Sequence, residues 1–303
     1  MSGFEWRGRR CLITGAGGFL GSALTRELAR LGAEVHASGR VRPERDAPTV
    51  WHTCDVGDAA RVHELFAAVR PQTVFHLASK VTGGRAQNLV LPTLSANLLG
   101  AVHTLLAAAE CGCERYVTLG SLQEPDQELP GVPSSPYAAA KFAAGAYVRM
   151  FARIYGVSAA IGRPFMAYGP GQTDMTKVVP HILSHILRGK IAELSSGRSS
   201  FDWVFVDDVV DALVALAVSG VSDGRTVDIG RGELTSVRDI ATGLARRAGV
   251  PEALKFGAIE DRKLEPTRVA DVGETERLIG WRARISLEEG LDRTVAWYRQ
   301  YFA

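Results

Sequence analysis

The sequence predicts an α/β fold: a doubly wound parallel sheet with a smaller C-terminal α/β domain. Two observations predict it. Short apolar segments alternate with segments of helical period through the first half of the 303-residue chain, and such alternation buries a parallel sheet under helices on both faces. A glycine-rich turn also separates the first strand from the first helix. Hydrophobic residues make up 46% and charged residues 22% of the chain, enough apolar content for a buried core.

The elements follow in order. Residues 10–14 (RCLIT) read as a strand closed by Gly15, and residues 19–31 (FLGSALTRELARL) as a helix stopped at Gly32. Residues 34–38 read as a second strand, 50–54 lead to Asp55, and 58–69 form a helix ended by Pro71. Residues 73–77 (TVFHL) are strand-like and 94–110 helical. Residues 115–119 (RYVTL) and 158–163 (SAAIGR) read as strands around a helix at 137–155. The loop at 122–136 carries four prolines and reads as an ordered surface excursion. Past residue 164 the alternation loosens, and one strand at 226–229 (TVDI) returns to the sheet. The expected domains are 1–164 with about 204–230, and about 165–203 with 231–303.

Composition excludes several functions. A net charge of +2 offers no basic field for nucleic acid or anionic lipid. No run of about 18 apolar residues predicts a membrane span, and residues 1–10 lack a signal-peptide core, so a cytoplasmic enzyme is expected. Cys11, Cys54, Cys111 and Cys113 have no zinc-type spacing and read as reduced thiols. His181 and His185 sit four apart among Ile and Leu with no acid between them, so no metal is expected.

Gly15, Gly18 and Gly21 form G-x-x-G-x-x-G at the first strand–helix turn. Glycines there let the backbone approach a pyrophosphate, and the helix start supplies free N–H groups and a positive dipole end. Tyr137 and Lys141 lie four apart in SPYAAAK and share one helix face. A free phenol has a pKa of about 10, and a neighbouring ammonium favours phenolate. Ser121 follows the strand RYVTL, placed to hydrogen-bond a reacting oxygen.

Together with HLAS (76–79), Asn97, YGPGQ (168–172), VDD (206–208) and SLEEGL (286–291), these motifs resemble the extended short-chain dehydrogenase/reductase family across essentially the whole chain. The resemblance is closest to its nucleotide-sugar epimerases, dehydratases and ketoreductases. It implies a Rossmann-type fold, an NAD(P)-dependent enzyme and a homodimer built through helices 94–110 and 137–155. It implies Ser121, Tyr137 and Lys141 as the catalytic set, with Tyr137 giving a proton to the oxygen in reduction and Lys141 also binding the nicotinamide ribose. Cofactor contacts carry over to Gly15, Gly18, Phe19, Leu20 and Gly21, to Asp55 and Val56 beside the adenine, to Leu77, Ala78, Ser79 and Asn97, and to Pro164 and Phe165. Substrate contacts carry over to Lys80, Thr82, Gln123, Met166 and Arg262, with Ser121 shared. Arg262 resembles a diphosphate-binding arginine; a solvated surface charge is the competing reading. Asp207 and Asp208 read as a helix start, and Trp203, Trp281 and Trp297 as packing residues.

The departures from the family pattern are informative. NAD-using members carry an acid at the end of the second strand, where this chain has Gly39. Ser38 and Arg40 beside it, with Arg42 as a second candidate, predict NADP(H) over NAD, because a guanidinium suits a 2′-phosphate. Dehydratases carry an Asp–Glu pair after the catalytic hydroxyl; here stand Leu122 and Gln123. Many epimerases have Asn at the position of Met166 and Arg at that of Phe201. The resemblance then implies an NADPH-dependent 4-ketoreductase of a nucleoside-diphosphate-linked sugar. The alternatives are a nucleotide-sugar epimerase, a reductase of a non-sugar ketone, or a non-catalytic dinucleotide sensor.

Overall fold

The structure, a computed structural model, describes residues 4–43, 49–125, 131–221, 223–261 and 267–303. Arg262 and residues 126–130 of the proline-rich loop lie outside these. In chain order the elements are β1 (Arg10–Thr14), α1 (Phe19–Arg30), β2 (Glu34–Gly39), β3 (Val50–Thr53), α2 (Ala59–Val69), β4 (Thr73–His76), α3 (Val90–Thr93), α4 (Gly100–Glu110), β5 (Arg115–Leu119), α5 (Pro136–Tyr155) and β6 (Ala159–Pro164). Then come β7 (Met166–Tyr168), α6 (Val178–Ile186), β8 (Ala192–Leu194), β9 (Ser200–Phe205), α7 (Val206–Val218), β10 (Asp223–Ile229), β11 (Leu234–Ser236), α8 (Val237–Ala248), β12 (Leu254–Phe256), α9 (Val272–Ile279) and α10 (Leu287–Phe302).

The chain divides into two units. The first holds Met1–Arg163, Val210–Val227 and Glu274–Trp281. Its sheet has seven strands in the order β10-β6-β5-β4-β1-β2-β3, and the pairs from β3 through β6 are parallel. The strand order reverses between β1 and β4, and in such sheets ligands bind outside the carboxyl ends at that switch point. Register brings the ends together. Thr14 pairs with Ser38 on one side and with His76 on the other, and His76 pairs with Thr118. Gly15, Gly39, Leu77 and Leu119 therefore leave the sheet along one edge. Leu12, Ile13, Val74, Phe75, Tyr116 and Val117 are fully buried beneath it, each such side chain contributing about 1.5–3 kcal/mol.

The helix expected at 94–110 begins earlier. A 3₁₀ turn at Gln87–Leu89 and α3 lead into a π-helical segment, Leu94–Leu99, before α4. The whole stretch Gln87–Glu110 is long and apolar enough to cross a membrane by length and composition, contrary to the reading that no run is. Thr93, Asn97 and Thr104 are buried in it, while Leu91, Leu94, Leu99 and Leu106 are exposed.

The second unit holds Pro164–Val209, Asp228–Gly273 and Arg282–Ala303. β9 pairs with β7 in parallel and with β11 antiparallel, while β12 pairs with β8. These short strands escaped the sequence reading because three to six residues carry little periodic signal. Asp202, 1% exposed, ties this unit together by accepting the N–H groups of Arg231 (2.7 Å), Gly232 (2.9 Å) and Ala270 (3.1 Å). Asp208 accepts from Arg284 and Ile285, both at 3.0 Å, and Asp207 pairs with Arg293. Asp207 and Asp208 lie in the first turn of α7 and hold structure. Trp203 and Trp281 are buried; Trp297, half-buried, stacks on Tyr301.

Candidate active site

The turn after β1 admits only glycine at two positions. Gly15 has φ +72°, and a methyl group there would lie 2.6 Å from the Ala78 nitrogen. A methyl group on Gly21 would lie 2.1 Å from the Gly15 carbonyl oxygen. Helix α1 therefore packs directly onto the turn. Its N-cap, Gly18, provides no side-chain cap, and its first turn carries no acid. The N–H groups at this helix start are left for an anion, which the dipole also favours.

At the end of β2, Gly39 faces Trp51 of β3; a methyl group on Gly39 would meet the indole at 3.1 Å. Ser38 is wholly buried and its hydroxyl has no hydrogen-bond partner among the described residues, whereas Arg40 is exposed. Asp55 closes its own turn by accepting the Gly57 N–H at 2.9 Å, and Val56 is buried beside it.

The loop after β4 is fixed from two sides. Thr14 Oγ1 receives the Ala78 N–H at 3.3 Å and lies 2.8 Å from His76 Nδ1. Asn97, 1% exposed, accepts the Lys80 N–H at 2.7 Å and the Ser79 hydroxyl at 3.1 Å, and donates to the Lys80 carbonyl at 3.2 Å. Asn97 sits in the π-helical segment, and such single irregular turns recur at functional sites. The segment turns Asn97 onto the loop, so Asn97 positions Ser79 and Lys80. Leu77 is buried, Thr82 half-buried and Lys80 exposed.

Ser121, Tyr137 and Lys141 come together where β5 ends and α5 begins, each under 10% exposed. Ser135 caps α5 by accepting the Ala138 N–H at 3.1 Å, and Pro136 takes the first helical position, where its missing N–H costs nothing. Burial pushes the Tyr137 hydroxyl up to about 12, against hydrogen bonds from Ser121 and Ser79 that lower it. Burial pulls the Lys141 ammonium down to about 8. Its Nζ donates to the Leu119 carbonyl at 2.9 Å. The sequence reading expected this ammonium to make Tyr137 acidic. Here desolvation wins instead, and Tyr137 keeps its proton at neutral pH.

A fourth group was missed. Glu124, 7% exposed, folds back so that Oε1 accepts the Ser121 N–H at 2.5 Å, while its own N–H donates to the Ser121 carbonyl at 3.1 Å. The Gln123 N–H donates to Ser121 Oγ at 3.2 Å. Burial raises the Glu124 carboxyl, and Ser121, Lys141, Arg163 and Arg149 lower it. Its signal in the sequence was an acid three residues past Ser121, the spacing at which a side chain can fold back on a backbone N–H.

Pro164, Phe165 and Met166 belong to the second unit. There the Phe165 N–H donates to Ile229 at 2.9 Å, and Met166 starts β7. His181 and His185 direct ring nitrogens at the carbonyls of Glu193 and His181. Among the described residues no group of three His, Cys, Asp or Glu is placed to hold a metal.

The uncapped helix start, the glycine turn that leaves no side chain in the way and the orphan Ser38 hydroxyl fit a dinucleotide. A doubly wound sheet that ends in this turn and, two strands away, in a buried serine, tyrosine and lysine defines an oxidoreductase of the extended short-chain dehydrogenase/reductase type. The chain belongs to the NAD dependent epimerase/dehydratase family, which residues 11–230 match. It is 29% identical over 316 residues to the UDP-glucose 4-epimerase of Mycolicibacterium smegmatis, covering 96% of this chain and 98% of that one. It is 30% identical over 319 residues to a dTDP-glucose 4,6-dehydratase of the same organism, covering 96% and 93%. Among solved structures it resembles the UDP-glucose 4-epimerase of Thermotoga maritima with UDP-glucose (TM-score 0.87, 25% identity, 97% and 99% of the two chains). It also resembles a dTDP-glucose 4,6-dehydratase of Streptomyces venezuelae with NAD bound (TM-score 0.85, 26% identity, 96% and 97%).

Proposed function

We propose that this protein is an NADPH-dependent ketoreductase acting on a nucleoside-diphosphate-linked 4-keto sugar. Relatives that act on UDP-glucose and dTDP-glucose support the substrate class. The observation that carries reduction is the end of β2, where Gly39 offers no carboxylate and Arg40 stands exposed beside it. A carboxylate there would repel a 2′-phosphate, and a guanidinium attracts it. Net reduction consumes a cofactor that must exchange each turnover, the usual work of NADPH.

Gly15, Gly18 and Gly21 with the start of α1 would hold the diphosphate, Arg40 the 2′-phosphate, and Lys141 the nicotinamide ribose. When bound, the nicotinamide supplies hydride. Ser121 then hydrogen-bonds the substrate's carbonyl oxygen, and Tyr137 gives that oxygen its proton. A phenol held near 12 still protonates a developing alkoxide, whose conjugate acid is weaker. Lys141, buried against Leu119, orients the end of the helix that carries Tyr137 and supplies positive charge to the alkoxide. Gln123 lacks the carboxylate that water loss would use.

The test is incubation with NADPH and a panel of nucleotide-linked keto sugars. Loss of nicotinamide absorbance with at least one is expected; loss with none refutes the proposal. The epimerase alternative draws on the M. smegmatis relative and predicts a co-purifying cofactor and sugar interconversion without net NADPH use.

We further propose a homodimer. Leu91, Leu94, Leu99 and Leu106 are 37–73% exposed along the stretch Gln87–Glu110, and Tyr147, Ile154 and Tyr155 of α5 are 41–66% exposed, apolar side chains that a partner copy would cover. Light scattering of the purified protein at twice the 32.6 kDa chain mass is the expected outcome.

A further inference from the structure

The turn at residues 55–58 closes on itself and is then fastened to the helix beside it. Within the turn, the Asp58 N–H donates to the Asp55 carbonyl at 3.0 Å and the Gly57 N–H to Asp55 Oδ1 at 2.9 Å. Asp58 also caps α2 by accepting the N–H groups of Ala60 and Arg61. From α4, His103 Nδ1 lies 2.9 Å from the Val56 carbonyl oxygen. A carbonyl only accepts, so Nδ1 carries the proton in this pair, and neutral His103 is the Nδ1–H tautomer.

Packing holds the same turn at two more points. A methyl group on Gly100, the first residue of α4, would lie 2.6 Å from Val56 Cγ2, and one on Gly57 would lie 2.5 Å from Ser95 Oγ. Turn and helix therefore meet with a glycine on each side of the contact. Val56 is buried there and His103 half-buried, while Asp55 is exposed. The same helical stretch carries Asn97, whose side chain fixes Ser79 and Lys80. One stretch thus positions two separate loops, those after β3 and β4.

We propose that His103 is a positioning residue for adenine recognition: its hydrogen bond to Val56 holds the 55–58 turn so that the Asp55 carboxylate meets the 6-amino group of the base. The inference rests on the dinucleotide-binding part of the proposed function and is independent of the reduction. Asp55 gives one acceptor site to the Gly57 N–H, and an ionised carboxylate has further acceptor sites for an amine. Hypoxanthine carries an oxygen in place of that amine, which would set acceptor against acceptor. With the turn held, the two bases are told apart. With the turn loosened, Asp55 can swing away from the oxygen and the distinction fades.

The test uses the whole chain freed of bound nucleotide. It is titrated calorimetrically with NADPH and with the reduced form of nicotinamide hypoxanthine dinucleotide phosphate. His103→Leu keeps bulk but cannot donate; His103→Asn restores a donor near the place of Nδ1. The wild-type protein is expected to bind the adenine form about tenfold or more tightly. His103→Leu is expected to lower that preference about fivefold, chiefly by weakening the adenine form, and His103→Asn to keep it within about twofold. A purely structural role weakens both cofactors alike. An unchanged ratio in His103→Leu therefore overturns the inference, as does a wild type that binds both forms equally or neither. If His103→Leu does not fold, the imidazole nitrogens of the wild-type protein are followed by NMR, with His103 assigned through His103→Asn. A protonated Nδ1 and a bare Nε2 are expected in the neutral ring, and the reverse tautomer overturns the inference. The two readings fail separately. An unchanged ratio in a protein that reduces a keto sugar sinks this inference alone. A lowered ratio in a protein that reduces none sinks the ketoreductase alone.

Discussion

The ammonium of Lys141 donates to the carbonyl of Leu119 at 2.9 Å, and this contact ties the first turns of α5 to the end of β5. Tyr137 rides on the same turn, its hydroxyl between Ser121 and Ser79. Replacing Tyr137 by Phe removes the proton donor and little volume. It should lower kcat by about 10²–10⁴-fold while the dissociation constant for NADPH, read by fluorescence titration, changes less than threefold. Retained turnover would rule out Tyr137 as the donor.

The pH dependence follows from two shifts of opposite sign. Tyr137 is pushed up to about 12 and Lys141 down to about 8. Reduction needs the tyrosine protonated and the lysine charged, so activity holds at neutral pH and falls as pH rises through about 8, where Lys141 loses its proton first. A profile of kcat/KM for keto-sugar reduction checks this; a rate that climbs across that range contradicts it.

In the proposed enzyme, the end of β2 selects the cofactor. Arg40→Ala should weaken NADPH binding about tenfold or more and leave NADH nearly unchanged, since only the 2′-phosphate loses a charge-assisted partner. Gly39→Asp alone should bind either cofactor poorly, because its first side-chain carbon meets Trp51 at 3.1 Å. Combined with Trp51→Ala it should favour NADH. Calorimetric titration of both cofactors reads the ratio.

Gly21→Ala is expected to abolish dinucleotide binding, because the added methyl group would lie 2.1 Å from the Gly15 carbonyl and the turn or α1 must move. Ser22→Ala, one residue on, should bind normally. Equal binding by both variants would remove the glycine turn from the site.

Asp202→Ala leaves three N–H groups, of half-buried Arg231 and Gly232 and of buried Ala270, without their acceptor. Hydrogen bonds to a charged group are worth about 1.5–3 kcal/mol each, so a loss of about 3 kcal/mol or more in urea unfolding is expected. A change under about 0.5 kcal/mol would show that the carboxylate is dispensable to the fold.

The parallel sheet was legible because its central strands β1, β4 and β5, buried almost throughout, are short and largely apolar and are flanked by Gly or Pro. RCLIT, TVFHL and RYVTL each became a strand within a residue of the expected ends. The second unit was less legible, for Asp202 organises it through backbone N–H groups from segments 29 to 68 residues away, and no local pattern announces that. The proposed catalytic set was readable from the family resemblance, with Tyr137 and Lys141 four apart on one helix face. Their electrostatics were not, since whether burial or a neighbouring charge governs Tyr137 depends on depth in the fold. Glu124 was hidden for the same reason: an acid in a polar loop looks solvated until the turn buries it.

The proposed function requires net hydride delivery from NADPH to a sugar ketone, with Tyr137 protonating the oxygen. Supplying NADPH deuterated at the transferring position, with a nucleotide-linked 4-keto sugar, and weighing the sugar product tests it most directly. One deuterium in the product per NADPH oxidised is expected, with the yield lost in Tyr137→Phe. Sugar interconversion with no deuterium gained and no NADPH consumed would contradict it.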